Sequence, residues 1–218
     1  MDYEAARHNM IESQIRTNKV TNRALLDVLA SVPRERFVPP ERAFAAYVDE
    51  DIPVAPGRYL MEPMVFARLV QLAEPKPTDR ALLVGSGTGY GAAVLARLVD
   101  AVVALESDPA LVARAREQIY RLAFESNLLQ VEGPLPQGWP EKAPYDVILL
   151  EGSAELVPQA LFDQLGNGGR LVAVIDDEEG IGRAVLHTRR DDVLSHRPYF
   201  DAAVSRLPGF ERPQGFVF

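Results

Sequence analysis

The sequence predicts an α/β fold: a mostly parallel sheet with helices on both faces, preceded by a helical N-terminal lobe. Three observations carry this expectation. Short runs that are apolar throughout alternate with helical stretches from residue 81 to 175, as strands buried on both faces require. A glycine-rich segment, Gly85-Ser86-Gly87-Thr88-Gly89, stands between the first such run and the helix after it, which makes the core Rossmann-like. The segment Glu74-Pro75-Lys76-Pro77 separates this alternation from a mainly helical stretch, because two prolines so close together stop any helix. The boundary divides the chain into a helical lobe with a substrate-side loop, 1–75, and a Rossmann-like core with a C-terminal edge extension, 76–218.

Within the lobe, residues 3–47 read as helical. Thr21 is the expected N-cap of a helix whose Ala24, Leu25, Val28 and Leu29 share one face and which Pro33 ends. Phe37-Val38-Pro39-Pro40 is a turn before a short helix through Phe44 and Tyr47. Residues 49–57, with three acids, two prolines and a glycine, predict an irregular loop. A helix over 63–72 follows, with Pro63 in its first turn, where a missing N–H is tolerated. In the core, strands are expected over 81–84, 101–105, 128–131, 147–150 and 171–175, and helices over 89–98, 109–124 and 157–165. Beyond the acidic linker Asp176-Asp177-Glu178-Glu179-Gly180, residues 183–188 and 196–200 are expected to pair as edge strands. Turn-rich Leu207-Pro208-Gly209-Phe210 and aromatic Phe216-Val217-Phe218 follow.

Composition narrows the partners. With 47% hydrophobic and 25% charged residues, the 218-residue chain has the make-up of a globular protein with a sizeable core. A net charge of -8 and the lack of a Lys/Arg run argue against a nucleic-acid partner. The absence of cysteine removes disulfides, thiolate metal sites and cysteine nucleophiles. The start, Met1-Asp2-Tyr3-Glu4, is acidic with no apolar segment behind it, and no apolar run approaches bilayer length. A soluble, cytoplasmic chain with no membrane partner is expected.

The chemistry-bearing residues cluster at strand ends. Glycines at 85, 87 and 89 let the backbone turn tightly and approach a ligand without a Cβ in the way. Glu106, followed by Ser107, ends the next strand about twenty residues on, where a carboxylate can accept both hydroxyls of a ribose. Loop and acid together point to an adenosine-containing ligand at the carboxyl edge of the sheet. A nicotinamide dinucleotide could read Gly87-x-Gly89-x-x-Ala92 as its fingerprint, but no Tyr-x-x-x-Lys pair accompanies it. The GxGxG spacing favours S-adenosylmethionine. Glu151 and Ser153 follow a strand end bordering this site and read equally as site or loop residues. His8, His187 and His196 have no metal-ligand spacing, and Trp139 reads as a packing residue.

Ordered landmarks along the chain resemble the protein-L-isoaspartate O-methyltransferase family, a class I methyltransferase group. They are Val32-Pro33-Arg34-Glu35-Arg36-Phe37-Val38, the loop 47–53, residues 57–63, the Gly85 loop, Gln137-Gly138-Trp139 and Tyr145-Asp146-Val147-Ile148. Val157-Pro158, Gln164-Leu165 and Gly168-Gly169-Arg170-Leu171-Val172 continue the series, which spans about 10–175. The resemblance implies a class I methyltransferase fold and methyl transfer from S-adenosylmethionine to the side-branch carboxylate of an isoaspartyl residue, the first step of protein repair. Its partner would be a protein or peptide carrying such residues. An ionised carboxylate is already a nucleophile, so no catalytic base is assigned; alignment and water exclusion would supply most of the acceleration.

By that resemblance Gly85, Ser86, Gly87, Gly89, Glu106, Ser107, Glu132 and Gly133 border the cofactor, and Tyr59, Leu60, Met61 and Glu62 the acceptor. Several positions depart from the family pattern. Met61 stands where a serine hydroxyl would meet the substrate carboxylate, and Glu62 adds a negative charge beside an anionic substrate. Leu83 replaces an acid before the glycine loop, and Gly133-Pro134-Leu135 replaces Gly-Asp-Gly, leaving Glu132 as a neighbouring substitute near the adenine. A family member that has lost the reaction and serves as a binding or regulatory protein is therefore the alternative reading, with a nicotinamide-dependent reductase as a third.

Overall fold

The computed structural model describes residues 1–123, 126–177 and 182–212. Helix α1 (Tyr3–Met10) is capped by Asp2, whose carboxylate accepts the Ala5 N–H at 3.0 Å. It continues into a π-type turn over Ile11–Ile15 that buries both isoleucines. Helix α2 (Arg23–Ser31) buries Leu25, Leu26 and Leu29. Its N-cap is Asn22, not the expected Thr21: the Asn22 side chain accepts the Leu25 N–H at 3.0 Å. Gln71 Oε1 accepts the N–H groups of both Thr21 and Asn22, at 2.7 and 3.0 Å, just ahead of the helix. Turns of 3₁₀ type at Arg34–Phe37 and Pro40–Ala45 stand where a short helix through Tyr47 is expected.

The segment expected to be an irregular loop contains a strand. β1 (Ile52–Ala55) and β2 (Arg58–Leu60) form an antiparallel hairpin, with Ile52 opposite Leu60 and Pro53 opposite Tyr59. The prolines obscure it in the sequence, yet a two-stranded ribbon has free edges that tolerate a missing N–H. Gly57, at φ +67°, makes the turn. Ile52, Val54, Arg58 and Leu60 face inward, and α3 (Pro63–Ala73) follows.

The core begins with β3 (Arg80–Val84), α4 (Tyr90–Leu95), β4 (Ala101–Glu106), α5 (Pro109–Arg121) and β5 (Leu128–Glu132). It continues with β6 (Tyr145–Ala154), α6 (Gln159–Asp163), β7 (Leu165–Asp176), β8 (Gly182–Arg190) and β9 (Val193–Asp201). Seven strands form one sheet in the order β5-β4-β3-β6-β7-β8-β9, parallel from β5 to β7 and antiparallel beyond. The apolar runs follow from two-sided burial: Ala81 and Leu83 join one core cluster, Leu82 and Val84 the other. The first cluster also takes in Met10, Leu29, Phe37 and Phe66, so the N-terminal helices cover that face of the sheet.

Strands β6 and β7 outrun their expected lengths. Their register shifts between Leu149 and Ser153, and this irregularity lets β6 carry polar Glu151 and Ser153 past the apolar run. Helix α6 is correspondingly shorter than expected. The edge pair is as expected, with His187 opposite His196. Phe124, the linker residues Glu178, Glu179 and Gly180, and Phe216-Val217-Phe218 lie outside the described residues. Among the described residues no helix is long and apolar enough to cross a membrane.

Candidate functional site

The strand order reverses direction between β3 and β6, and the crevice beyond their carboxyl ends is where such sheets hold ligands. The glycine bend lies there. Gly85 and Ser86 both donate to the Leu105 carbonyl, at 2.9 and 3.0 Å, which pins the bend to β4. Gly85 at φ +81° and Gly87 at φ +54° adopt left-handed backbone that a side chain would disfavour. The Ser86 hydroxyl accepts the Gln130 amide at 3.0 Å, and the Thr88 hydroxyl donates to the Phe37 carbonyl at 2.5 Å, tying the bend to β5 and to the N-terminal lobe.

Glu106 is fully buried at the end of β4. Its carboxylate accepts the backbone N–H of Gly87 at 2.8 Å, of Ser107 at 2.8 Å and of Asp108 at 3.1 Å. The bend and the acid, singled out separately from the sequence, are thus directly bonded. The Arg58 guanidinium completes the set: Nη1 donates to Oε1, Nη2 to Oε2 at 2.8 Å, and Nη2 also reaches the Gly85 carbonyl at 3.2 Å. A carboxylate offers about four lone-pair sites, so these donors exhaust it.

Leu207 closes the other side of the bend. A Cβ placed on Gly85 would lie 2.5 Å from Leu207 Cδ2, and one on Gly152 would lie 2.7 Å from Leu207 Cγ. The cavity bounded by Asp51, Arg58, Met61, Glu151 and Leu207 measures about 10 Å³, room for a single water. The elements expected to receive an adenosyl group are assembled, but with Arg58 on Glu106 the carboxylate has no acceptor site left for a ribose, and Leu207 lies against Gly85.

Beneath this surface lies a buried charged layer. Arg34 is wholly enclosed, donating to the carbonyls of Ala46 at 2.7 Å and Met61 at 2.6 Å. Glu151 is buried with Oε2 lacking a hydrogen-bond partner, and burial pushes its carboxyl up to about 8, against the opposing pull of Arg34 and Arg58. Glu62 is raised to about 7, chiefly by burial and further by Asp49 and Asp51.

The residues expected on the acceptor side divide. Tyr59 is 39% exposed, whereas Leu60 and Met61 are buried in the core. Glu62 is half-buried, and its N–H donates to Asp51. Glu132 is exposed and level with Glu106 across the β4–β5 register, and the Gly133 N–H donates to the Glu106 carbonyl at 3.0 Å. Trp139 packs on Gly133, within 3.3 Å of where a Cβ would stand. Ser153 donates to Asp176 at 2.9 Å. The His187 and His196 rings lie 5.7 Å apart, tilted by 37°, and burial followed by His196 pushes His187 down to about 4. No group of three metal-ligating side chains occurs among the described residues.

Sequence reasoning missed Arg58, Leu207 and Asp51. Asp51 joins the elements around the site: its Oδ1 accepts the Glu62 N–H at 2.8 Å, and its Oδ2 lies 3.3 Å from both Ser205 donors. The one available signal was the basic residue beside Gly57 in an otherwise acidic loop.

A sequence model described as protein-L-isoaspartate(D-aspartate) O-methyltransferase matches residues 5–200. The chain is 39% identical over 170 residues to a protein-L-isoaspartate O-methyltransferase 2 of Anaeromyxobacter sp. (strain Fw109-5), covering 78% of this chain and 69% of that protein. It is 38% identical over 193 residues to a protein-L-isoaspartate O-methyltransferase of Opitutus terrae, covering 87% and 82%. A solved protein-L-isoaspartate O-methyltransferase superposes with a TM-score of 0.81 at 25% identity, over 93% of this chain and 66% of that one. The Plasmodium falciparum beta-aspartate methyltransferase, solved in complex with S-adenosyl-L-homocysteine, gives 0.77 at 21% identity over 95% and 98%, a likeness of fold. On the match over residues 5–200 and on these identities, the chain belongs to the protein-L-isoaspartate(D-aspartate) O-methyltransferase family.

Proposed function

We propose that this chain is an S-adenosylmethionine-dependent O-methyltransferase acting on the side-branch carboxylate of isoaspartyl residues in damaged proteins or peptides. The observation that carries this reading is the bond from the Gly87 N–H to Glu106, which joins the glycine bend to the strand-end acid at the crevice of the sheet. Family membership supplies the reaction class.

In this reading Gly85, Ser86, Gly87, Gly89, Glu106, Ser107, Glu132 and Gly133 form the donor side. Tyr59, Leu60, Met61 and Glu62 form the acceptor side. Residues 1–75 act as the acceptor-side lobe and 76–218 as the donor-side core. The setting is the cytoplasm, where aged proteins present isoaspartyl sites.

The test is methyl transfer from isotopically labelled S-adenosylmethionine to an isoaspartyl peptide, with the normal aspartyl peptide as control. A base-labile methyl ester on the isoaspartyl peptide alone is expected. Cofactor binding without transfer would redirect the search to another acceptor. Lack of binding would favour a silent family member.

A further inference from the structure

Arg58 is 6% exposed and reaches Glu106 from 48 positions away, out of the β1–β2 hairpin, which lies outside the main sheet. A buried guanidinium is held there because both of its Nη atoms find acceptors, on Glu106 and the Gly85 carbonyl. These are the groups that a ribose and the adjoining part of an adenosyl ligand would meet. On the other side, residues 204–207 cross the carboxyl end of β6: Ser153 N–H donates to the Ser205 carbonyl at 3.0 Å, and Leu207 N–H donates to the Ser153 carbonyl at 2.9 Å. Asp51 and Asp176 hold the same segment through Ser205 and Arg206, and Leu207 projects against Gly85 and Gly152.

We propose that Arg58 and Leu207 form an internal latch that occupies the donor site of this enzyme, so that S-adenosylmethionine enters only when Arg58 leaves Glu106 and the 204–207 strap lifts. This rests on the cofactor reading above. The latch lowers apparent affinity by the fraction of time it is open. It can open without unfolding the sheet, because Glu106 keeps its three backbone N–H donors when Arg58 departs. The strap contributes one isolated bridge, at Ser153 and Arg206, rather than a strand of the main sheet.

The test is calorimetric titration of the full chain with S-adenosylhomocysteine, comparing the native sequence with Arg58→Gln, Arg58→Lys and Leu207→Ala, each checked for folding by circular dichroism. Binding by Arg58→Gln and by Leu207→Ala is expected to be tighter by about tenfold or more, with Arg58→Lys between, since one ion-pair bond survives. Measurable binding of equal affinity in all four proteins would overturn the latch while leaving the cofactor reading intact. Lack of binding by any folded variant would overturn the cofactor reading, and the latch with it. Leu207→Ala keeps the test decisive should Arg58→Gln fold poorly, because it leaves the Glu106 ion pair in place.

Discussion

The guanidinium of Arg34 lies 4.8 Å from the centre of the Tyr90 ring, at the point where the N-terminal lobe meets the first turn of α4. Its bonds to the Ala46 and Met61 carbonyls join three segments that share no sheet. Replacement by methionine keeps the length of the side chain but leaves two buried carbonyls without donors. We expect Arg34→Met to lower stability by about 2–4 kcal/mol, from two unsatisfied acceptors at roughly 1–2 kcal/mol each. Urea denaturation measures it, and a loss below about 0.5 kcal/mol would mean that water re-satisfies both carbonyls.

Glu151 gives the stability a definite dependence on pH. Burial holds its folded carboxyl at about 8, while the unfolded chain releases the proton near the ordinary value of about 4.3. Between these values the folded state binds more protons than the unfolded one, so stability falls as pH rises and levels off above about 8. Glu151→Gln keeps the shape and removes the ionisation. Melting temperatures across this range should decline more steeply in the native chain than in the variant; parallel curves would show that Glu151 is already ionised in the fold.

A related effect concerns Glu62. Burial is the main reason its carboxyl sits at about 7, but Asp49 and Asp51 add to it. Asp51→Asn removes one of these charges and keeps an acceptor for the Glu62 N–H. The Glu62 carboxyl, followed by its side-chain carbon resonance, should then titrate at lower pH but stay above the usual glutamate range. An unchanged titration would mean that Asp51 adds nothing and leave burial and Asp49 as the causes.

Much of the core was readable because its signals are local. The two-sided burial of β3, β4 and β6 leaves apolar runs that no surface strand would show, and a glycine bend after the first of them fixes where the chain turns. The β1–β2 hairpin was not readable, since Pro53 and Pro56 look like breakers unless the ribbon's free edges are known. The state of the site was illegible for a different reason. Glu106 is marked by its distance from the glycines, whereas its partner Arg58 is fixed by a hairpin packed over the sheet, and Leu207 arrives from the far end of the chain. Contacts of that range leave no periodicity in the sequence. The register irregularity beside Glu151 is equally silent, because β6 continues past its apolar run through pairing with β7 and with the distant 204–207 segment.

Gly85 and Gly87 provide a contrast that separates backbone strain from crowding. Both have positive φ, but a Cβ at Gly87 would have nothing within 4 Å, while one at Gly85 would meet Leu207 Cδ2 at 2.5 Å. Gly87→Ala should therefore cost only the left-handed backbone, about 1–2 kcal/mol. Gly85→Ala carries that cost and an overlap besides, typically a further 1–3 kcal/mol where a packed neighbour must shift. Trimming the neighbour should recover the second part: in a double-mutant cycle, Gly85→Ala with Leu207→Ala should show a favourable coupling of about 1 kcal/mol or more. Gly87→Ala paired with Leu207→Ala should be additive. If the Gly85 pair is also additive, Leu207 does not press on the bend in solution, and the site would be more open than the packing of these two residues allows.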